Sequence, residues 1–216
     1  MTTTGKSVVV PFKQSDQEAP LQRPESAVEA FYGAEGGSRR SASEAAEDGF
    51  FALAFDMASS SAIAEASSEL FPEQGARLFE AEVRDLTARA CIGFWDDLLS
   101  PAVFLGDGGN CAFASARAAH GYAEALHSLA RQRNSRVVSE GRWWRFRIGI
   151  GGLEFETDDF EFRVRDRANV LELNAMPGGT LIDEHAYCSL PPSIRKLYGD
   201  QERIEGKRIY QGYRRS

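Results

Sequence analysis

The chain has 216 residues, 43% hydrophobic and 26% charged, with a net charge of −7. That length suits one large domain with a real core, and the acidic balance argues against general nucleic-acid binding, which wants a basic face. No apolar run approaches the roughly 20 residues of a membrane-spanning helix and the N-terminal segment lacks a signal-peptide core, so a cytoplasmic protein with no membrane insertion is expected.

Residues 1–45 read as a flexible N-terminal tail, with Pro11, Pro20 and Pro24 early in it and a short helix over 25–33. Its "TGKS" is not a phosphate-binding P-loop, because the leading glycine and the preceding strand are absent. The organised domain spans 46–216. A strand over about 50–56 leads into a helical region over about 60–98, broken near Pro72 and Gly75, with Leu78, Phe79, Val83, Leu86 and Ala90 on one stripe. "PAVFLGDGGNCAFA" is two short apolar runs around Gly-Asp-Gly-Gly, a hairpin signature.

An alanine-rich helix follows, "SARAAHGYAEALHSLARQRN", with His120 and His127 two turns apart on a face expected to be solvated. "RWWRFRIGIGGLEFE" and "DDFEFRVRD" read as strands, with Trp143 and Trp144 at the core or its rim. "RANVLELNAM" is a short helix closed by "PGG", "TLI" is a strand, and "RIEGKRIYQGY" is a closing hairpin or strand. The order β, α, α, β, β, α, β, β, α, β, α, β predicts an α/β (α+β sandwich) fold with a mixed sheet. Cys91, Cys111 and Cys188 fit no zinc or disulfide spacing, which points to a reducing compartment.

The chemistry starts at "FFALAFDMASSSAIAEAS", residues 50–67, where five apolar residues run into Asp56 and a helix then begins. Asp and Ser are good helix N-caps, and Asp107 sits where tight hairpins favour Asp-Gly. Against those bland roles stands a second one. Two carboxylates at the ends of neighbouring core strands suit hard divalent cations that share ligands with phosphate. Two such ions activate one oxygen and stabilise the departure of another. The "DMASSS" turn would offer helix N-terminal N–H groups to a triphosphate.

Over about residues 50–210 the chain resembles the class III nucleotide cyclase catalytic domain. The resemblance rests on "FDMASSSA", "VFLGDGGNCAF", "FRIGIGG", "NAMPGGTLIDEHAY" and "EGKRIYQGY", in the family's order and at roughly its spacings. It implies a ferredoxin-like core with a mainly antiparallel sheet and flanking helices. It implies Asp56 and Asp107 as catalytic ligands of two Mg²⁺ or Mn²⁺ ions, with the Met57 carbonyl as a further ligand. Ala58, Ser59, Ser60, Ser61 and Gly106 would wrap a nucleoside triphosphate, and Lys207 would reach its β- or γ-phosphate. It also implies a homodimer whose sites straddle the interface.

Two departures bear on function. The family's Asn-x-x-x-Arg pair before the Pro-Gly turn falls, without a gap, on Asp166 and Val170; a one-turn gap restores Asn169 but puts Leu173 at the arginine position. Arg167, or its neighbours Arg163 and Arg165, would have to supply the missing transition-state charge. The purine-reading lysine position is Val103, and its acidic partner position falls on Asp159. Small bacterial members that make cyclic UMP or cyclic CMP as antiphage signals are therefore the nearest functional type. Three readings follow: an active cyclase favouring UTP or CTP, a degenerate cyclase-like module that binds a nucleotide or partner without turnover, and a plain α+β binding domain.

Overall fold

The computed structural model describes residues 49–152, 160–200, 203–204 and 206–212. The tail with its expected helix lies outside them, as does Asp159. Strand β1 (Phe51–Met57) is followed by helices α1 (Ser60–Leu70) and α2 (Gly75–Cys91). A 3-10 turn (Ile92–Asp97) enters the hairpin of β2 (Leu98–Phe104) and β3 (Gly109–Phe113), and α3 (Ala116–Asn134) follows. Next come β4 (Phe146–Gly152), α4 (Phe160–Asn174), β5 (Thr180–Asp183), the short α5 (Glu184–Ser189) and α6 (Pro192–Arg195), β6 (Tyr198–Asp200) and β7 (Ile209–Gly212). They form one seven-stranded sheet in the order β2-β3-β1-β4-β5-β7-β6. Among the described residues its only parallel pair is β4 with β5.

Alternation along β1 sorts the two faces of the sheet. Phe51, Leu53, Phe55 and Met57 join the large core with Phe79, Val83 and Leu86 of α2 and Tyr122 and Leu126 of α3. Ala52 and Ala54 face the other way, with Ala112 of β3 and Val164 and Ala168 of α4. This second face is lined by small residues because α4 lies almost on the backbone. A Cβ on Gly149 would stand 2.1 Å from the Ala168 carbonyl oxygen, and one on Gly151 3.0 Å from that of Val164. Close packing of that kind leaves no room for a methyl group.

Four expectations are corrected. "DDFEFRVRD" is not a strand: its described residues from Phe160 onward open α4, which continues through "RANVLELN". Leu78 is exposed, while the rest of its stripe is buried. His120 and His127 are buried rather than solvated. Burial is tolerable because each ring has a polar partner: His120 Nδ1 lies 2.6 Å from the Tyr198 hydroxyl, and His127 Nε2 lies 2.9 Å from Thr180 Oγ1. The strand β6 was not foreseen. Trp144 is core and Trp143 half-buried, the hairpin "GDGG" closes through Leu105 N–H to the Gly108 carbonyl at 2.8 Å, and the α1–α2 break falls at Phe71–Gln74, beside Pro72 and Gly75.

Candidate active site

Asp56 is the penultimate residue of β1 and shares the α4 side of the sheet with its cross-strand partner Arg147 of β4. Gly108 of the hairpin comes up beside it. A Cβ there would lie 2.5 Å from the Phe55 carbonyl oxygen and 3.1 Å from Asp56 Oδ1, so only glycine lets the turn approach this closely. Asp107 precedes that glycine, and the two carboxylates expected from the sequence are thereby brought to one end of the sheet.

A third acid joins them. Glu172, near the C-terminal end of α4, is buried, and its Oε1 lies 3.1 Å from Arg147 Nε, an ion pair outside hydrogen-bond geometry. Arg147 Nη2 donates to Asp56 Oδ2. Burial raises the Glu172 pKa to about 7; Arg147 opposes this, and the Asp56 and Asp107 charges add to it. Desolvation works against the Arg147 charge, but the hydrogen bond to Asp56 and the charges of Glu172, Asp56 and Asp107 outweigh it and push its pKa up. One guanidinium thus serves three carboxylates, leaving an excess of negative charge. Hard oxygen donors in such excess match the demands of Mg²⁺ or Mn²⁺. Among the described residues no group of three or more His, Cys, Asp or Glu is arranged as a metal cluster, so a cation here would rely on the Asp56–Asp107 pair, the Met57 carbonyl and its substrate.

The turn after β1 leaves helix N-terminal donors open. Ala58 N–H is held by the Arg145 carbonyl at 2.9 Å, and Ser59 sits in the left-handed region at φ 62°, the only non-glycine residue with positive φ among those described. Ser59 makes no side-chain cap, so the first-turn N–H groups of α1 are not satisfied from within. Ser60 and Ser61 line a cavity of about 250 Å³ together with Gly106 and Asp107. The structure therefore brings Ser60, Ser61, Gly106 and Asp107 around one cavity, which Glu80 also lines, and sets Asp56 beside Gly108 of the same hairpin.

It does not add Lys207 or Arg167 to that site. They line a separate cleft of about 540 Å³ with Gly152, Asp166, Val170 and Arg203. Gly152 pairs with Phe51 and Arg147 with Asp56, five register steps apart, or about 17 Å along the strand. Asp166 and Val170 both line this cleft, and Asn169 is exposed. Arg167 is 7% exposed. Its charge lies close enough to Asp183 to lower that carboxyl's pKa, which burial nonetheless raises. Arg163 also lines the cleft, whereas Arg165 turns away to Asn110 Oδ1 and Ser100 Oγ, 2.7 Å from each. Val103 is exposed on the edge strand. Sequence reasoning missed Arg147 and Glu172. The alternation of "FRIGIGG" was the signal for the first; the misread start of α4 hid the phase that turns Glu172 inward.

The seven-stranded, mainly antiparallel sheet with flanking helices matches the fold of solved nucleotide-cyclase catalytic domains. Solved cyclase structures superimpose on it across most of the chain. An adenylate cyclase from Trypanosoma brucei matches at TM-score 0.55 and 17% identity, over 82% of this chain and 94% of that one. The adenylyl cyclase CyaB from P. aeruginosa matches at TM-score 0.52 and 16% identity, over 77% and 94%. A dimeric guanylyl cyclase domain of the RhoGC fusion protein from the aquatic fungus Blastocladiella emersonii matches at TM-score 0.58 and 14% identity, over 76% and 96%. No protein-family model matches the chain, and no curated protein does.

Proposed function

We propose that the protein is a nucleotide cyclase that converts a nucleoside triphosphate into a 3′,5′-cyclic nucleotide and pyrophosphate. The observation that carries this reading is the pairing of Asp56 and Asp107 against an uncapped helix N-terminus, with negative charge in excess. The ribose 3′-oxygen attacks the α-phosphorus, the bond from that phosphorus to the bridging oxygen of the β-phosphate breaks, and the hydroxyl proton leaves to solvent. Two Mg²⁺ or Mn²⁺ ions, bound between Asp56, Asp107 and the Met57 carbonyl, would supply a lowered hydroxyl pKa and a stabilised leaving group. Ser59–Ser61 and Gly106 cradle the phosphates through backbone N–H groups. Arg147 donates to Asp56 and stands against Glu172 on its other side, so a cation held by Asp56 would share that carboxylate with its guanidinium.

Lys207 and Arg167 belong to the same reaction only if they come from a second chain, since each chain holds them at the far end from Asp56. A two-fold homodimer completes two sites at once, and Phe162 and Leu173, exposed at 73% and 66% on the outer side of α4, supply apolar surface for it. Val103 offers no donor where a purine-reading lysine would stand, so we assign UTP or CTP as the substrate and cyclic UMP or cyclic CMP, a bacterial cytoplasmic antiphage signal, as the product. Asp166 and Val170 in the basic cleft favour the second reading, a module that binds nucleotide without turnover. Incubation with equal ATP, GTP, UTP and CTP plus Mn²⁺, followed by chromatography, separates the cases. Cyclic pyrimidine product supports the proposal, cyclic AMP or cyclic GMP as the main product overturns the base assignment, and no product favours the binding module.

A further inference from the structure

Asp56 and Arg147 lie on the α4 side of the sheet. On the opposite side, at the same end, is a cleft of about 490 Å³ between the C-terminal half of α3, the segment entering β4 and the Pro177–Gly178 turn. Its volume is in the range of small-molecule sites. Arg131 and Arg145 line it, and among the described residues no acidic side chain does. His127 on its wall adds no charge near neutral pH, because burial, with help from Arg131, lowers its pKa to about 4. Among the described residues, the lining of the cleft therefore carries two arginines and no acid.

The remaining wall is aromatic and fixed. Trp143 Nε1 donates to the Val137 carbonyl at 3.1 Å, which pins the indole, and the Arg145 guanidinium stands 5.4 Å from its ring centre. Asn134 clamps the next residue from both sides, accepting from Trp144 N–H at 2.8 Å and donating to its carbonyl at 2.9 Å. A flat ring that stacks on Trp143 while an attached anion meets the arginines would use every one of these features.

The cleft is also wired to the carboxylate site. The Arg145 carbonyl accepts the Ala58 N–H at 2.9 Å, and Ala58 starts the turn that presents Ser59–Ser61; two residues after Arg145 comes Arg147 itself. We propose that this cleft is a regulatory site for a small aromatic anion, whose binding shifts the Trp143–Arg145 segment and through it the turn after β1. The binding half stands on the cleft alone, while the regulatory half rests on the cyclase reading.

Calorimetry on the full chain with phenyl phosphate, inorganic phosphate and benzyl alcohol tests the binding half. Phenyl phosphate is expected to bind at least tenfold more tightly than either of the others. Arg131→Gln and Arg145→Gln, each checked for folding by circular dichroism, should weaken it at least tenfold, and Trp143→Ala should reduce it to the level of inorganic phosphate. Equal affinity for phenyl phosphate and inorganic phosphate, or undiminished binding in both arginine variants, overturns the site. Saturating phenyl phosphate should change Mn²⁺-dependent turnover at least twofold in the wild type and not in Arg145→Gln; an unchanged wild-type rate overturns the coupling. A wild type that turns over no nucleotide defeats the cyclase reading, and calorimetry still decides the cleft.

Discussion

Arg147 donates to Asp56, and the carboxylate has a structural role beside the one proposed for it. Structurally it is half of a partly exposed ion pair, an arrangement worth little in stability. Under the proposed function it would be a ligand for a metal. Asp56→Asn and Asp107→Asn are therefore expected to keep their circular dichroism spectra while losing Mn²⁺-dependent turnover by about a hundredfold or more; full activity in either folded variant would leave the two acids as a strand end and a turn. His127 carries a pH prediction of its own. Its pKa is depressed to about 4 in the fold, against about 6.5 in the unfolded chain. The unfolded state thus binds the extra proton first, so the stabilisation is present above about pH 6.5 and is lost as pH falls toward 4, by roughly 3 kcal/mol at most. His127→Gln should flatten the dependence of the unfolding midpoint across that window; an unaltered slope would contradict a buried neutral imidazole.

The elements show how far the sequence was legible. Asp56, Asp107 and the Ser59–Ser61 turn were readable because local rules sufficed, a strand running into an acid and a glycine hairpin around another. The helix α4 was not. Phe160, Phe162 and Val164 alternate with Glu161, Arg163 and Arg165, which is the period of a strand, yet the chain winds into a helix whose inner face is Val164, Ala168, Leu171 and Glu172. What decides it is distant in sequence: Gly149 and Gly151 open a groove on β4 that only a helix with small residues can enter. Gly149→Ala would drive a methyl group into the Ala168 carbonyl and the Glu172 amide, at 2.1 and 2.4 Å. We expect it to cost about 3 kcal/mol or more, as overpacking does, and to displace Glu172 from Arg147. A denaturation midpoint within error of the wild type would show that α4 can lift off the sheet cheaply. The buried histidines were missed for a related reason, since their partners Tyr198 and Thr180 come from the far end of the chain.

At the scale of the whole molecule, Lys207 and Arg167 line a cleft apart from the acids and Ser59–Ser61, and the proposed dimer would make these two places half-sites of one reaction. Nothing in the local sequence announces that separation; it follows from the antiparallel register of β1 and β4. Leu173→Glu is expected to yield a monomer by light scattering and to abolish turnover with the fold intact, because charge on the exposed side of α4 opposes pairing of two such faces. The most direct test of the composite site mixes two defective chains. Asp107→Asn and Lys207→Ala, each nearly inactive alone, are co-refolded at equal amounts and assayed for cyclic nucleotide. Half of the dimers formed at random are mixed, and each mixed dimer holds one intact site, so about a quarter of wild-type activity should return. A mixture no more active than its components would contradict a catalytic site shared between two chains.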